Sequence, residues 1–205
     1  MSGSRLPDDY FDELYAGNGD PWGFADRWYE QRKRDLAMAV LPRRRYTAAF
    51  EPGCSLGIQT LELASRCDRV LATDVSRAAL TAAAQRLSGQ PGVELRRWAL
   101  GDPWPDERFD LVVLSEVLYY LQAPTLLDVL TSARDALVPG GQLLAVHWRH
   151  PVADYPLGGD DVHAALAAVD ELTLVARYDD ADVLIECYQR IPPEPVSVAA
   201  AEGLS

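Results

Sequence analysis

Glu51-Pro52-Gly53-Cys54-Ser55-Leu56-Gly57 closes an apolar run, Tyr46-Thr47-Ala48-Ala49-Phe50, and opens at once onto a periodic stretch, Ile58 to Cys67. A strand, a glycine turn and a helix in that order bring backbone N–H groups to a helix start, where they face a ligand. Gly53 permits close approach of the backbone, and Gly57 permits tight packing where the helix begins. The spacing is G-x-x-x-G, with Ser55 standing where the dinucleotide fingerprint G-x-G-x-x-G commonly has its middle glycine.

Outward from this loop the chain alternates short apolar runs with amphipathic ones. YTAAFEPG, RVLATD, VELRRWAL, FDLVVLSE and QLLAVHW read as strands. IQTLELASRC, RAALTAAAQRL and APTLLDVLTSARDALVPGG have helical period, the last ending at Pro139-Gly140-Gly141. Strands alternating with helices predict an α/β fold with a parallel sheet and right-handed crossovers. The last third breaks the rhythm: LTLVARY and DVLIECYQR are joined by Asp179-Asp180 with no room for a crossover helix, so they pair as an antiparallel hairpin. Between them and the fifth strand, DDVHAALAAV reads as a short helix, with Asp160 as its N-cap and His163 facing Tyr155 or solvent. Residues 1–45 read as helical, with Asp26 as the N-cap of a helix reaching Leu41 and stopped by Pro42. Residues 191–205, with Pro192, Pro193 and Pro195, read as a disordered tail, leaving residues 46–190 as the core.

Asp74 ends the second strand about twenty residues beyond the loop, where an acidic residue accepts from a ribose diol. The alternative is that it caps the helix starting near Ser76, and one carboxylate can do both.

The composition excludes other classes. The chain has 205 residues, 19 Lys+Arg and 31 Asp+Glu, for a net charge of −12. That balance repels phosphate backbones and anionic lipid, so neither nucleic acid nor membrane is the expected partner. No apolar run approaches the roughly 18 residues of a membrane-spanning helix, and Met1 to Tyr15 lacks the cationic and apolar regions of a signal peptide. Cys54, Cys67 and Cys187 are odd in number and widely spaced, which suits neither a disulfide framework nor a zinc site. The expectation is a cytoplasmic protein, monomer or homodimer, without metal.

Glu51-x-Gly53-x-x-x-Gly57, Asp74, Phe109-Asp110-Leu111-Val112-Val113 and Leu137-Val138-Pro139-Gly140-Gly141, with the terminal hairpin, resemble the class I S-adenosylmethionine-dependent methyltransferases. Asp20 to Arg34, SEVLYYL and YPLGGDDVH are similar more narrowly to the nodulation protein S-like N-methyltransferases, whose best-known member acts on an amino sugar. The resemblance spans roughly residues 8–190. It implies a Rossmann-like, seven-stranded, mostly parallel sheet with an antiparallel terminal hairpin and helices on both faces. It also implies S-adenosyl-L-methionine as cofactor, S-adenosyl-L-homocysteine as product and a small-molecule acceptor.

Carried onto this chain, the resemblance puts Glu51 and the Gly53, Cys54, Ser55 and Gly57 backbone around the amino-acid part of the cofactor. Asp74 then holds the ribose and Val75 packs on adenine. The loop Ala99-Leu100-Gly101-Asp102 offers Leu100, Gly101 and Asp102 for the adenine amino group. Ser115 and Glu116, ending the fourth strand, face the sulfonium or the acceptor. Trp22, Tyr29 and Arg32 (or its neighbour Lys33) lie on an N-terminal lid.

Methyl transfer from a sulfonium is an in-line displacement that needs alignment and a neutral nucleophile. An amine acceptor must lose a proton, so a nearby base or carboxylate helps. Glu116 is the first candidate, since a carboxylate there attracts a cationic amine. His147 and His150, after the fifth strand, titrate in the right range, with a hydrogen-bonded structural role as the alternative for each. Tyr119, or its neighbour Tyr120, offers a ring face to a cation, or else is core. The competing readings are O-methylation of a small natural product, a nicotinamide-dependent oxidoreductase and a non-catalytic cofactor-binding domain. The missing middle glycine, the hairpin and the absence of a Tyr-x-x-x-Lys pair weigh against the oxidoreductase.

Overall fold

The computed structural model describes residues 5–204. Residues 1–4 of the expected lid and Ser205 of the expected tail lie outside them. Seven strands, β1 (Tyr46–Pro52), β2 (Cys67–Asp74), β3 (Val93–Arg97), β4 (Phe109–Ser115), β5 (Leu137–Trp148), β6 (Leu172–Asp179) and β7 (Val183–Arg190), form one sheet in the order β3-β2-β1-β4-β5-β7-β6. The first five are parallel, and β7 runs antiparallel to both β5 and β6. The hairpin lies at the sheet's edge, with β7 next to β5 and β6 outermost. This is the α/β architecture that the strand rhythm predicts.

Successive side chains of a strand point to opposite faces, and both faces of this sheet are covered. Phe50, Val112, Leu114, Leu143 and Ala145 pack with Leu126, Val129, Leu130 and Ala133 of α5 (Ala123–Ala136) and with Val162 and Leu166 of α6 (Gly159–Leu166). Their neighbours Ala49, Leu111, Val113, Leu144 and Val146 pack on the other face with Ala37 of α2 (Trp28–Val40) and Leu63 of α3 (Ile58–Arg66). Helix α1 (Asp8–Gly17) contacts α4 (Arg77–Arg86) and sends Tyr15 against Leu56 and Ala79.

Three local expectations change. Helix α2 is capped by Arg27 rather than Asp26, with no side-chain cap bond. Helix α5 ends at Ala136, and Pro139-Gly140-Gly141 lie inside β5 as an irregularity between the Phe109–Leu137 and Leu111–Gln142 pairs. Leu137, with φ −72° and ψ 142°, is already extended and ends the helix there, and Gly140 further on has φ +76°, a conformation that suits glycine. Helix α6 takes Gly158 as its N-cap; the Asp161 carboxylate accepts from the Gly158 N–H, while Asp160 pairs with Arg149. After β7, the segment assigned from sequence to a disordered tail carries one helical turn, α7 (Val198–Ala201), capped by Ser197.

Candidate active site

Strand β1 pairs with β2 on one side and β4 on the other, so the strand order reverses around it. In open α/β sheets ligands bind outside the carboxyl ends of strands at such a switch point. A cavity of about 360 Å³ opens there, walled by the ends of β1, β2 and β4 and roofed by residues 5–34.

The glycine loop forms one end. Gly53, Ser55 and Gly57 all have positive φ, +76°, +50° and +71°. Ser55 is the exception among them, a side-chain-bearing residue in the left-handed region, the kind of strain found at functional sites. A Cβ on Gly53 would lie 2.3 Å from Val117 Cγ1, so its close approach is to the protein's own wall. Gly57 sits under the loop against Ala83 and Leu87, which is the tight packing expected of it, and lies outside the cavity lining. The Gly53 and Cys54 N–H groups donate to Thr73 O, and the Ser55 N–H donates to Asp74 Oδ2 at 2.9 Å. Asp74 Oδ1 accepts from the Ser76 N–H, also at 2.9 Å. Ser76, not Asp74, is the side-chain cap of α4. Burial raises the Asp74 pKa against these bonds, and burial pushes Glu51, bonded to Thr60 Oγ1 at 2.6 Å, up to about 8.

The other end is built from side chains. Glu116, with φ +57°, follows β4 in strained backbone. Its Oε1 accepts from Lys33 Nζ at 2.7 Å, and its Oε2 from Tyr119 OH and the Trp148 N–H. Lys33 also pairs with Glu30 at 2.9 Å and lies over the Tyr29 ring. Burial works to lower the Lys33 pKa, but Glu116 and Glu30 outweigh it and hold the ammonium above its ordinary value. Burial raises the pKa of Glu30, opposed by Lys33. Tyr119 stacks on Tyr155, and Tyr29 meets Trp148 edge to face.

Of the residues singled out from the sequence, Trp22, Tyr29, Glu51, Gly53, Cys54, Ser55, Asp74, Val75, Leu100, Ser115, Glu116 and Tyr119 line the cavity together. Arg32 does not. It points to the opposite side of α2 and pairs with Asp180 and Tyr178 of the hairpin. Gly101 and Asp102 are exposed beyond the cavity, because Gly101 (φ +98°) turns the chain away after Leu100. His150 is half exposed and bonded to Asp182, and His147 is wholly buried behind the wall. Neither histidine lines the cavity.

The sequence reading missed Glu30, Arg34, Trp98, Trp148 and Tyr155, all of which line it, and ranked Lys33 second to Arg32. Helical spacing carried a signal: Tyr29, Glu30, Lys33, Arg34 and Ala37 recur on one stripe of α2, and Arg32 falls off it. Two lining side chains, Tyr29 and Gln59, have a buried polar atom (Oη and Nε2) without a hydrogen-bond partner. Buried orphans of this kind call for a ligand or water partner. With Asp74 opening on the same space, the site fits a polar, hydroxyl-bearing cofactor.

The methyltransferase domain family matches residues 50–145. A crystal structure from Pseudomonas syringae, assigned as a methyltransferase, is 42% identical, with a TM-score of 0.71, and aligns over 80% of this chain and 100% of that one. This chain belongs to the class I S-adenosylmethionine-dependent methyltransferases. The N-methyltransferase NodS of Bradyrhizobium japonicum WM9, solved with S-adenosyl-L-homocysteine, is 26% identical with a TM-score of 0.81, over 91% of this chain and 99% of that one. Nodulation protein S of Sinorhizobium fredii is 32% identical over 107 residues, 50% of this chain and 48% of that protein. The methyltransferase chain thus spans about half the length of the curated relatives it matches. The family's cofactor is S-adenosyl-L-methionine, with S-adenosyl-L-homocysteine as product. Among the described residues no helix is long and apolar enough to cross a membrane.

Proposed function

We propose that the chain transfers a methyl group to the nitrogen of a small polar amine, such as an amino sugar. The observation that carries this reading is the charge balance at the acceptor end: two carboxylates, the buried Glu30 and the largely enclosed Glu116, share one buried ammonium, Lys33, which lies over the Tyr29 ring. That surplus of negative charge in a water-poor wall favours a cationic acceptor over a neutral hydroxyl. That the structurally similar NodS is an N-methyltransferase supports the same choice.

Bound S-adenosyl-L-methionine supplies an electrophilic methyl on a sulfonium. This chain's residues would position it: Asp74 would accept from the ribose hydroxyls, and Glu51 would take the ammonium of the amino-acid part beside the Gly53–Ser55 turn, whose N–H groups are already bonded to Thr73 and Asp74. Val75 and the Trp98–Leu100 wall, which line the cavity, would flank the adenine. Glu116 Oε1 has one lone pair beyond the Lys33 bond, and it receives the acceptor N–H and holds its proton. Tyr119 fixes the Glu116 rotamer and offers its ring to the ammonium.

Residues 1–45 act as a lid over a core of residues 46–190. Tyr15 OH bonds Ser55 Oγ at 2.5 Å, and Phe11 packs edge-on against Tyr120, so the segment touches both ends of the cavity. Three buried, unpaired thiols, Cys54, Cys67 and Cys187, accord with a cytoplasmic setting. The test is a transfer assay with methyl-labelled cofactor across amines, amino sugars, hydroxyl compounds and peptides. Label on amines supports the reading; label on hydroxyl compounds alone, or on none, contradicts it.

A further inference from the structure

Behind the cleft wall runs a buried chain of polar side chains that no step of the proposed transfer touches. His147 Nδ1 lies 3.1 Å from His163 Nε2, and His163 Nδ1 lies 2.7 Å from Glu186 Oε2. All three residues are buried, His147 completely. Tyr188 OH donates to the same Glu186 oxygen at 2.9 Å, and Arg177 approaches the other at 3.3 Å. At the inner end the Leu118 N–H donates to His147 Nε2 at 3.4 Å.

The backbone N–H can only donate, which fixes the direction of every bond. His147 Nε2 is bare, so its proton is on Nδ1 and goes to His163 Nε2. That nitrogen accepts, so the proton of His163 is on Nδ1 and goes to Glu186, an acceptor. Burial, with His163 and Lys33 nearby, holds the His147 pKa well below its ordinary value, consistent with a neutral ring. Both nitrogens of His147 are thus committed within the protein, which removes it as a base toward the acceptor.

Leu118 opens the 3-10 turn Leu118–Tyr120, two residues after the strained Glu116. The turn's own backbone bond is Leu121 N–H to Leu118 O, and the first N–H of such a turn has no internal partner. We propose that His147, held in one tautomer by His163 and Glu186, is a positioning residue that pins this turn so that Tyr119 meets Glu116. Two strands of the sheet's far half, β5 and β7, thereby set the geometry of the acceptor end. The effect on turnover rests on the methyl-transfer reading; the tautomers do not.

The experiment is long-range 1H–15N correlation of the imidazoles in the uniformly labelled full chain, without cofactor or acceptor. The expected result is Nδ1-protonated, Nε2-bare rings for both His147 and His163. A proton on Nε2 of His147 overturns the proposal. In parallel, His147→Leu removes the acceptor, whereas His147→Gln offers Oε1 near the place of Nε2. With the acceptor found in the transfer assay, the leucine variant should lose about tenfold in kcat, the scale of one hydrogen bond, and the glutamine variant should recover most of it. S-Adenosylhomocysteine affinity should stay within about twofold in both. Equal turnover by the two variants overturns the proposal. A wild-type protein that methylates nothing contradicts the transfer reading instead, and the imidazole spectra still decide the tautomers.

Discussion

At the glycine-loop end of the cavity, the Gly53, Cys54 and Ser55 N–H groups are spent on Thr73 and Asp74, residues that end the adjacent strand. At the acceptor end, Lys33 from α2, Glu116 just past β4 and the backbone of Trp148 from β5 converge from distant parts of the chain. The first end is set by backbone conformation and strand adjacency. The second depends on buried charges that satisfy one another, so removing one member leaves the others exposed to an apolar wall. The two ends should therefore fail differently: damage to the first weakens cofactor binding, and damage to the second costs stability and turnover.

The largest effect should come from Lys33→Met, which leaves Glu30 and Glu116 buried without their shared cation. Stability should fall by about 4 kcal/mol, the scale for breaking a buried pair, read as a lower denaturant midpoint. A shift no larger than that of an exposed pair would mean that water screens this end. Next, Glu116→Gln should lower turnover about a hundredfold while S-adenosylhomocysteine affinity changes by less than about twofold. Equal loss of both would move Glu116 to the cofactor side and erase the contrast.

Asp74→Ala should do the reverse, weakening cofactor affinity by roughly 1.5–3 kcal/mol, the range for hydrogen bonds to a charged group, with turnover at saturating cofactor largely kept. Unchanged affinity would refute the ribose role. The smallest effect is a proton. Burial holds Glu51 protonated in the free protein up to about pH 8, above its ordinary 4.5. A cationic amino-acid group beside it favours the carboxylate, so binding at neutral pH releases a proton and tightens as pH rises toward 8. The folded apo protein binds a proton that the unfolded chain does not, so its stability falls across that same window. Calorimetry in buffers of different ionisation enthalpy measures the release; a buffer-independent heat would contradict it.

The same contrast explains what could be read from the sequence. Glu51, Gly53, Ser55 and Asp74 announce themselves because strand, turn and helix follow one another locally, and the apolar rhythm sets the sheet around them. Glu30, Lys33 and Arg34 sit in a strongly charged run that resembles a solvated face. Their burial follows from partners up to 83 residues away in sequence, such as Glu116 for Glu30's neighbour Lys33 and Glu62 for Arg34, which no local pattern displays. His147 reads as a residue at the ligand edge of the sheet. Strand alternation instead turns it inward to His163, while Trp148, one position later, reaches the cavity. Leu100 lines the cavity whereas Asp102 does not, because one glycine conformation between them decides where the wall ends.

Calorimetric titration of the full chain with S-adenosylhomocysteine decides whether this cavity is an S-adenosylmethionine site. The predicted result is saturable binding in the micromolar range, about one ligand per chain, weakened by Asp74→Ala. No binding of S-adenosylhomocysteine, or binding of NADH in its place, would contradict it.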